Sequence, residues 1–169
     1  MKMLELHIAN VARQKEWDAS NGLDIDFFGV ELAGEVGEAC NIIKKLERER
    51  LGLRGSRATV QDLADELADV IICTDLIACH ICALANPENS LSWLKNRSLA
   101  ALGNEMAAAA GMINHIIVSR QHATMVPMLC ILINRVELVA RSQKIDLDLA
   151  VKNKFNATSE KYKLTTRMV

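Results

Sequence analysis

The chain has 169 residues and a formal net charge of −1, and half of its residues are hydrophobic although only 4% are aromatic. A near-neutral charge without a basic run excludes a large electrostatic surface for a nucleic-acid polymer, and Asp69 and Asp75 divide the most apolar stretch too finely for a membrane span. With only two prolines, the composition predicts a single all-α domain over residues 1–169.

The N-terminal residues and the cysteines indicate the same compartment. Residues 1–7 lack the long apolar core of a signal peptide. The five cysteines are odd in number and lie mostly within helical apolar patterns, as reduced thiols do. We therefore expect a cytoplasmic protein without a membrane partner.

The first predicted helix covers residues 2–18 and ends in a cluster of turn-forming residues. Its apolar side is predicted to consist of Leu4, Ile8, Val11 and Ala12. Trp17 lies at the end of this helix, where a tryptophan more often fills a core or an interface than stacks on a nucleobase.

The second and third predicted helices carry matching acids. The second begins after a cap at Asp24 or Asp26 and runs to about Arg50, and the third runs from a cap at Thr59 to about Ala85. Acids recur at positions i, i+4 and i+7 in both, as Glu31, Glu35 and Glu38 and as Asp62, Glu66 and Asp69. This spacing places three carboxylates in one stripe along each helix.

These stripes have two interpretations. Like charges at this spacing destabilise a helix, and no lysine or arginine lies within either stripe. The ordinary interpretation is a solvated helix face. The alternative is a magnesium site, because carboxylates are the ligands that this hard cation prefers, and its ligands would be Glu35, Glu38, Glu66 and Asp69.

Other metal sites have weaker support. The segment Cys79-His80-Ile81-Cys82 has the spacing of zinc ligands, but one cysteine pair is half of a tetrahedral site and no second pair has suitable spacing. A di-iron bundle normally needs Glu-x-x-His on two helices, and no histidine of this chain follows a glutamate by three residues. A non-catalytic helical interaction or nucleotide-binding module, with its acids facing solvent or a basic partner, stays open.

The second half of the chain resembles the first. Residues 105–118 align with 31–44, and residues 123–136 align with 58–71. In this register the four proposed ligands are replaced by Ala109, Met112, Ile131 and Asn134. We interpret the second half as a degenerate repeat, although any two amphipathic helical hairpins share some similarity.

The repeat predicts a four-helix-bundle core built from two helical hairpins, with additional helices at both ends. An acidic hairpin at 27–85 would carry the chemistry, and a degenerate hairpin at 97–144 would be structural. A closing helix at 146–163 begins at Asp146 and holds Lys154, Asn156 and Lys161, whose donors suit phosphate oxygens or a base edge.

Glu35-Val-Gly-Glu38, followed by Glu66-Leu-Ala-Asp69-Val-Ile-Ile, resembles the ExxE…ExxD signature of the MazG-like all-α nucleoside triphosphate pyrophosphohydrolases, to which the dimeric dUTPases are related. The stretch from Asp146 to Asn156 is similar to the closing helix of that family. Two departures are Gly34, where the family often has a second glutamate, and residues 86–144, which the smallest members lack.

The resemblance implies a hydrolase that splits a nucleoside or deoxynucleoside triphosphate into the monophosphate and pyrophosphate, in nucleotide-pool housecleaning. It implies Mg²⁺, with Mn²⁺ able to substitute, on the four acids, with Glu35 or Glu38 as the proton acceptor. It also implies a homodimer or a higher homo-oligomer. The candidate substrate contacts are Trp17, Lys44, Lys45, Lys154, Asn156 and Lys161.

Overall fold

The computed structural model describes residues 2–86 and 97–169, which form six α-helices and one short 3₁₀ helix, with no strand in these ranges. The α-helices are α1 (Met3–Trp17), α2 (Ile25–Arg50), α3 (Val60–His80), α4 (Leu99–Ser119), α5 (Met125–Ser142) and α6 (Leu147–Lys161), and the 3₁₀ turn His122–Thr124 precedes α5. The all-α prediction is confirmed. None of the described helices has the length and apolarity needed to cross a bilayer.

Three helices begin at their predicted caps. The Asp24 carboxylate accepts a hydrogen bond from the Phe27 N–H at 2.9 Å, and Asp146 accepts one from the Leu149 N–H at 3.1 Å. Thr59 begins α3 with a reciprocal capping box, in which its hydroxyl oxygen and the carboxylate three residues later each accept from a backbone N–H. These contacts satisfy N–H groups that have no partner within the helix.

The end of α3 was predicted too late. The helix stops at His80 rather than near Ala85. Cys82 then adopts a left-handed backbone conformation with φ 54°, which a continuing α-helix cannot contain.

The buried side of α1 also differs from the prediction. Leu4 and Ile8 are about 60% exposed, and Val11 and Ala12 also face solvent. The residues that are buried instead are Met3, Leu6, Ala9, Asn10 and Arg13. The prediction was wrong because two of the buried residues are polar, so the apolar side chains alone do not mark the buried face.

The helices α2 and α5 each contact both α3 and α4, while α1 and α6 pack against α3. The helix α3 therefore touches four others, and an unbroken run from Val70 to Asp75 is buried within it. Burying one large aliphatic side chain contributes about 1.5–3 kcal/mol. This enclosure holds α3 firmly while its acidic side lies between α2 and α6.

The helices α2 and α4 approach each other closely at two glycines. A Cβ atom on Gly29 would lie 3.0 Å from the Ile117 Cδ1 atom and 2.9 Å from the Asn114 Oδ1 atom. A Cβ atom on Gly103 would lie 3.0 Å from the Ile43 Cδ1 atom. At both points a glycine of one helix faces an isoleucine of the other, and any side chain there would force the helices or the isoleucine to shift.

Candidate functional site

Three glutamates converge between α2 and α3. One carboxylate oxygen from each of Glu35, Glu38 and Glu66 lies within 4.8 Å of the other two. Glu35 and Glu66 are half-buried, and Glu38 is exposed. The two helices are neighbours, so Glu35 and Glu38, one turn apart on α2, face the same small volume as Glu66 of α3.

Asp69, one turn beyond Glu66, lies against a cation from α6. Its Oδ2 atom is 2.7 Å from the Lys154 Nζ atom, and the two side chains are only 20% and 30% exposed. The structure therefore brings three of the four predicted ligands together, and the fourth, Asp69, forms an ion pair with Lys154 instead. Lys154 was predicted as a substrate contact, and it lies at the edge of the acidic group.

Burial and neighbouring negative charges raise the pKa of three of these acids, Glu35, Glu66 and Asp69. Burial first, and then the charges of Asp69, Glu38 and Glu66, raise the pKa of Glu35 to about 7. Burial also raises the pKa of Glu66, with a further contribution from Glu38, and it raises the pKa of Asp69 despite the opposing effect of Lys154. Carboxylates held this close repel one another, so the site favours a proton or a cation.

A second cation comes from α1. Arg13 is buried, with its guanidinium 3.6 Å from the centre of the Phe155 ring and Nη1 donating to the Phe155 carbonyl at 3.2 Å. Burial lowers the pKa of Arg13 to about 10, and the nearby Cys73, Asp69 and Glu31 act in the opposite direction. Sequence reasoning missed this residue, although its spacing from Leu6 and Asn10 is that of one helix face.

A cavity of about 120 Å³ lies beside Asp69, one turn away from Glu66. Trp17, Phe27 and Phe28 line it together with Glu31 and Asp69. Trp17 is 46% exposed, and its ring makes an edge contact with Tyr162 at a centroid distance of 4.7 Å. The predicted aromatic candidate thus lies in one cavity with a predicted metal ligand, and the two phenylalanines are additions that sequence reasoning did not identify.

The other predicted substrate contacts lie further out. Lys44 and Lys45 lie toward the C-terminal end of α2 and form none of the ion pairs found among the described residues. Lys161 ends α6 with its Nζ atom 5.2 Å from the Tyr162 ring centre. The Asn156 amide is occupied by the C-terminal tail, because it donates to the Met168 carbonyl at 3.0 Å and accepts from the Met168 N–H at 2.8 Å.

The aligned positions of the second half hold no comparable group of acids in the described chain. Glu105, which aligns with Glu31, pairs with Arg97 and lies 3.4 Å from Arg135 Nη1. Asn134, which aligns with Asp69, has a buried side-chain oxygen without a hydrogen-bond partner. An acid neutralised by two arginines leaves no free negative charge for a cation.

Comparison of the chain with known protein families, with curated proteins and with solved structures found no match. We therefore infer the function from the geometry and chemistry of the site itself.

Proposed function

We propose that this chain is a Mg²⁺-dependent nucleoside triphosphate pyrophosphohydrolase, which releases pyrophosphate and the nucleoside monophosphate. The observation that carries the proposal is the convergence of Glu35, Glu38 and Glu66 from two helices within 4.8 Å. A solvated helix face has no reason to gather half-buried carboxylates whose pKa is raised by burial and by neighbouring acids, as it is for Glu35 and Glu66 here.

The donor set fits magnesium. Octahedral Mg²⁺ binds oxygen at about 2.1 Å, which places its ligands about 3 to 4.2 Å apart. One oxygen of each of the three carboxylates lies within 4.8 Å of the other two, so at most small side-chain rotations would bring them to these separations. Asp69 would be the fourth ligand once Lys154 turns toward a phosphate.

When bound, the metal offsets triphosphate charge and lowers the pKa of a bound water. Glu35 or Glu38 would accept the proton of the attacking water. Lys154 would exchange its contact with Asp69 for a phosphate oxygen, which keeps its charge paired throughout. Lys44, Lys45 and Lys161 are more distant candidates for the phosphate chain, and Asn156 would have to release the tail to take part.

The aromatic cavity supports a nucleotide in particular. Trp17, Phe27 and Phe28 offer flat apolar surfaces in a cavity that Asp69 also lines. A base stacked there would place its phosphates toward the acids. Base–aromatic stacking is worth about 1–3 kcal/mol and tolerates different bases, so it contributes affinity before selectivity.

We propose further that the core is a four-helix bundle of two related hairpins, 27–85 and 97–144, with the second hairpin structural. The reciprocal packing of Gly29 on Ile117 and Gly103 on Ile43 supports it, because each pair maps onto the other when the alignment of 31–44 with 105–118 is extended by two residues toward the N-terminus. The buried positions of α2 recur at the aligned positions of α4. The homo-oligomeric state and the cytoplasmic location stay predictions.

The test is a panel of nucleoside and deoxynucleoside triphosphates incubated with purified protein and Mg²⁺, or Mn²⁺ in its place. We expect pyrophosphate and monophosphate in equal amounts from at least one substrate, and no product after chelation of the metal. Release of inorganic phosphate instead would indicate cleavage at the terminal phosphate. Absence of product across the panel, with a folded protein, would contradict the proposal.

A further inference from the structure

A second group of metal-ligand side chains lies between α1 and α3, away from the acids. His7 comes from α1, and Asp75 and Cys79 come from α3, one turn apart. One ligand atom of each lies within 4.8 Å of the other two. Along α3, Cys79 is about 15 Å beyond Asp69, so the two groups are separate.

The three side chains lie close to the separations of a zinc site, with His7 and Cys79 facing different oxygens of the Asp75 carboxylate. The His7 Nδ1 atom is 2.9 Å from the Asp75 Oδ1 atom, and the Cys79 Sγ atom is 3.4 Å from His7 Nδ1 and 3.5 Å from Asp75 Oδ2. Tetrahedral Zn²⁺ with bonds of about 2.0–2.3 Å holds its ligand atoms about 3.3–3.7 Å apart. The two Cys79 distances match this range, and the hydrogen bond between His7 and Asp75 would lengthen by a few tenths of an ångström on binding. Imidazole, thiolate and carboxylate together are a ligand set that Zn²⁺ accepts and Mg²⁺ does not.

The surroundings hold the carboxylate in place. Asp75 is completely buried, and His7 is its ion-pair partner in the described chain. The Asn10 amide, also completely buried, donates to Asp75 Oδ2 at 2.9 Å and to the Ile72 carbonyl at 3.3 Å. A hydrogen bond of this kind orients a ligating carboxylate and is worth roughly 10- to 100-fold in metal affinity.

The geometry does not suit a nucleophilic cysteine. In a catalytic triad the histidine contacts the nucleophile through one ring nitrogen and the orienting carboxylate through the other. Here Asp75 and Cys79 both face Nδ1 of His7. One N–H cannot serve both partners well, whereas one cation can bind all three.

A route for the ion is present. Cys79 also lines a cavity of about 410 Å³ together with Gln14, Leu76 and His80. The fourth coordination position would face this cavity and be filled by water.

We propose that His7, Asp75 and Cys79 form a Zn²⁺ site that fastens α1 to α3. Sequence reasoning saw only the pair Cys79 and Cys82, and the missing ligands come from one turn earlier on the same helix and from α1. On binding, the Cys79 thiol proton would leave to solvent, and His7 would bind as the neutral ring protonated on Nε2, which an imidazolium reaches by releasing its Nδ1 proton and a neutral ring reaches by moving that proton to Nε2 through solvent.

The test uses Co²⁺ as the spectroscopic probe and Zn²⁺ as its competitor, on the reduced full chain. We expect a thiolate-to-cobalt charge-transfer band that saturates at one equivalent of Co²⁺ per chain bound at this site, and loss of the band on displacement by Zn²⁺. Cys79→Ser should abolish the band, and His7→Gln should weaken binding by at least about tenfold. Cys40→Ser is the matched control, because this half-buried thiol lies on α2 beside the Gly103 carbonyl, and the band should persist.

The acids provide an independent control. Glu38→Gln should leave the charge-transfer band unchanged, since oxygen ligands cannot produce it, so the outcome does not depend on pyrophosphate release. Saturation with Co²⁺ without the band, or the same band in Cys79→Ser, would overturn the proposal.

A measurement on the unaltered chain tests the Zn²⁺ site without any substitution, so it does not depend on whether the variants fold. Excess Zn²⁺ should slow alkylation of Cys79 at least about tenfold while leaving that of Cys40 unchanged, as read by peptide mass spectrometry. Equal rates with and without Zn²⁺ would count against the site.

Discussion

Gly29 and Gly103 make the same contact in opposite directions, each facing an isoleucine of the partner helix about 3.0 Å from where a Cβ atom would lie. The helices α2 and α4 can therefore approach closely at two points because the glycine at each point has no side chain. Since α2 also carries Glu35 and Glu38, this packing determines where two of the acids lie.

Gly29→Ala should destabilise the chain by about 1–3 kcal/mol, because the added methyl group meets both Ile117 and Asn114. Gly111→Ala is the control, since it is an exposed helical glycine whose Cβ would meet nothing within 4 Å, and it should stabilise by about 0.5–1 kcal/mol. Urea unfolding of both variants measures the difference. An equal change in unfolding free energy in the two variants would contradict the close approach of α2 and α4 at Gly29.

Glu38→Gln should reduce pyrophosphate release by at least about 100-fold, because the substitution removes a charge from the metal-binding group while keeping its shape. Circular dichroism should stay unchanged, since the side chain is exposed. Asp69→Asn should act in the same direction. Glu105→Gln, at the neutralised position of the second half, should retain turnover; a similar loss there would mean that the second half takes part in the chemistry.

Lys154→Met should alter metal and substrate binding in opposite directions. Removal of this cation from Asp69 increases the negative field on the site, so Mg²⁺ should raise the melting temperature more than in the unaltered chain. The KM for a triphosphate should rise, because a phosphate partner is lost. Lys152→Met, two residues away on α6, is the matched control and should change neither quantity.

The free energy of unfolding of the metal-free chain should depend on pH through the titration of Glu35. Its pKa in the folded chain is about 7, above the ordinary 4.5, so the folded state binds more protons than the unfolded state between these values. The contribution of this group to stability is therefore present below about pH 4.5 and is lost as the pH rises through 7. Glu66 and Asp69 act in the same direction, because their pKa is also raised.

Glu35→Gln should consequently flatten the decline in unfolding free energy between about pH 5 and pH 8, and it should be the more stable chain at the upper end without divalent metal. Mg²⁺ should remove that advantage by stabilising only the unaltered chain. Urea midpoints across this pH range, with and without Mg²⁺, provide the measurement. A parallel decline in both chains would place the pKa shift elsewhere.

The helix caps were predictable because they depend on neighbours in sequence. Asp24, Thr59 and Asp146 each bond to an N–H three residues away, so residue type and spacing suffice. The buried face of α1 was not predictable in this way. Asn10 and Arg13 are buried because Asp75 and the Phe155 carbonyl receive their hydrogen bonds, and those partners come from α3 and α6.

In the candidate site too, the features set by local sequence were predictable and those set by packing between distant helices were not. The acids were identified from their helical spacing, and Glu35, Glu38 and Glu66 do lie together. The contact of Lys154 with Asp69 depends on how α6 packs on α3, which no local pattern reveals. His7 meets Asp75 and Cys79 only because α1 also packs on α3.

Lys154 lies late in the sequence, and this bears on how the chain folds during translation. The helices α2 and α3 precede α6 in the sequence and leave the ribosomal exit tunnel first. During that interval Asp69 lacks Lys154, its ion-pair partner in the folded chain. Until then the nascent acidic hairpin carries mutual repulsion and lacks the helix that covers one flank of α3. We therefore expect final compaction of that hairpin only after α6 has also left the ribosome.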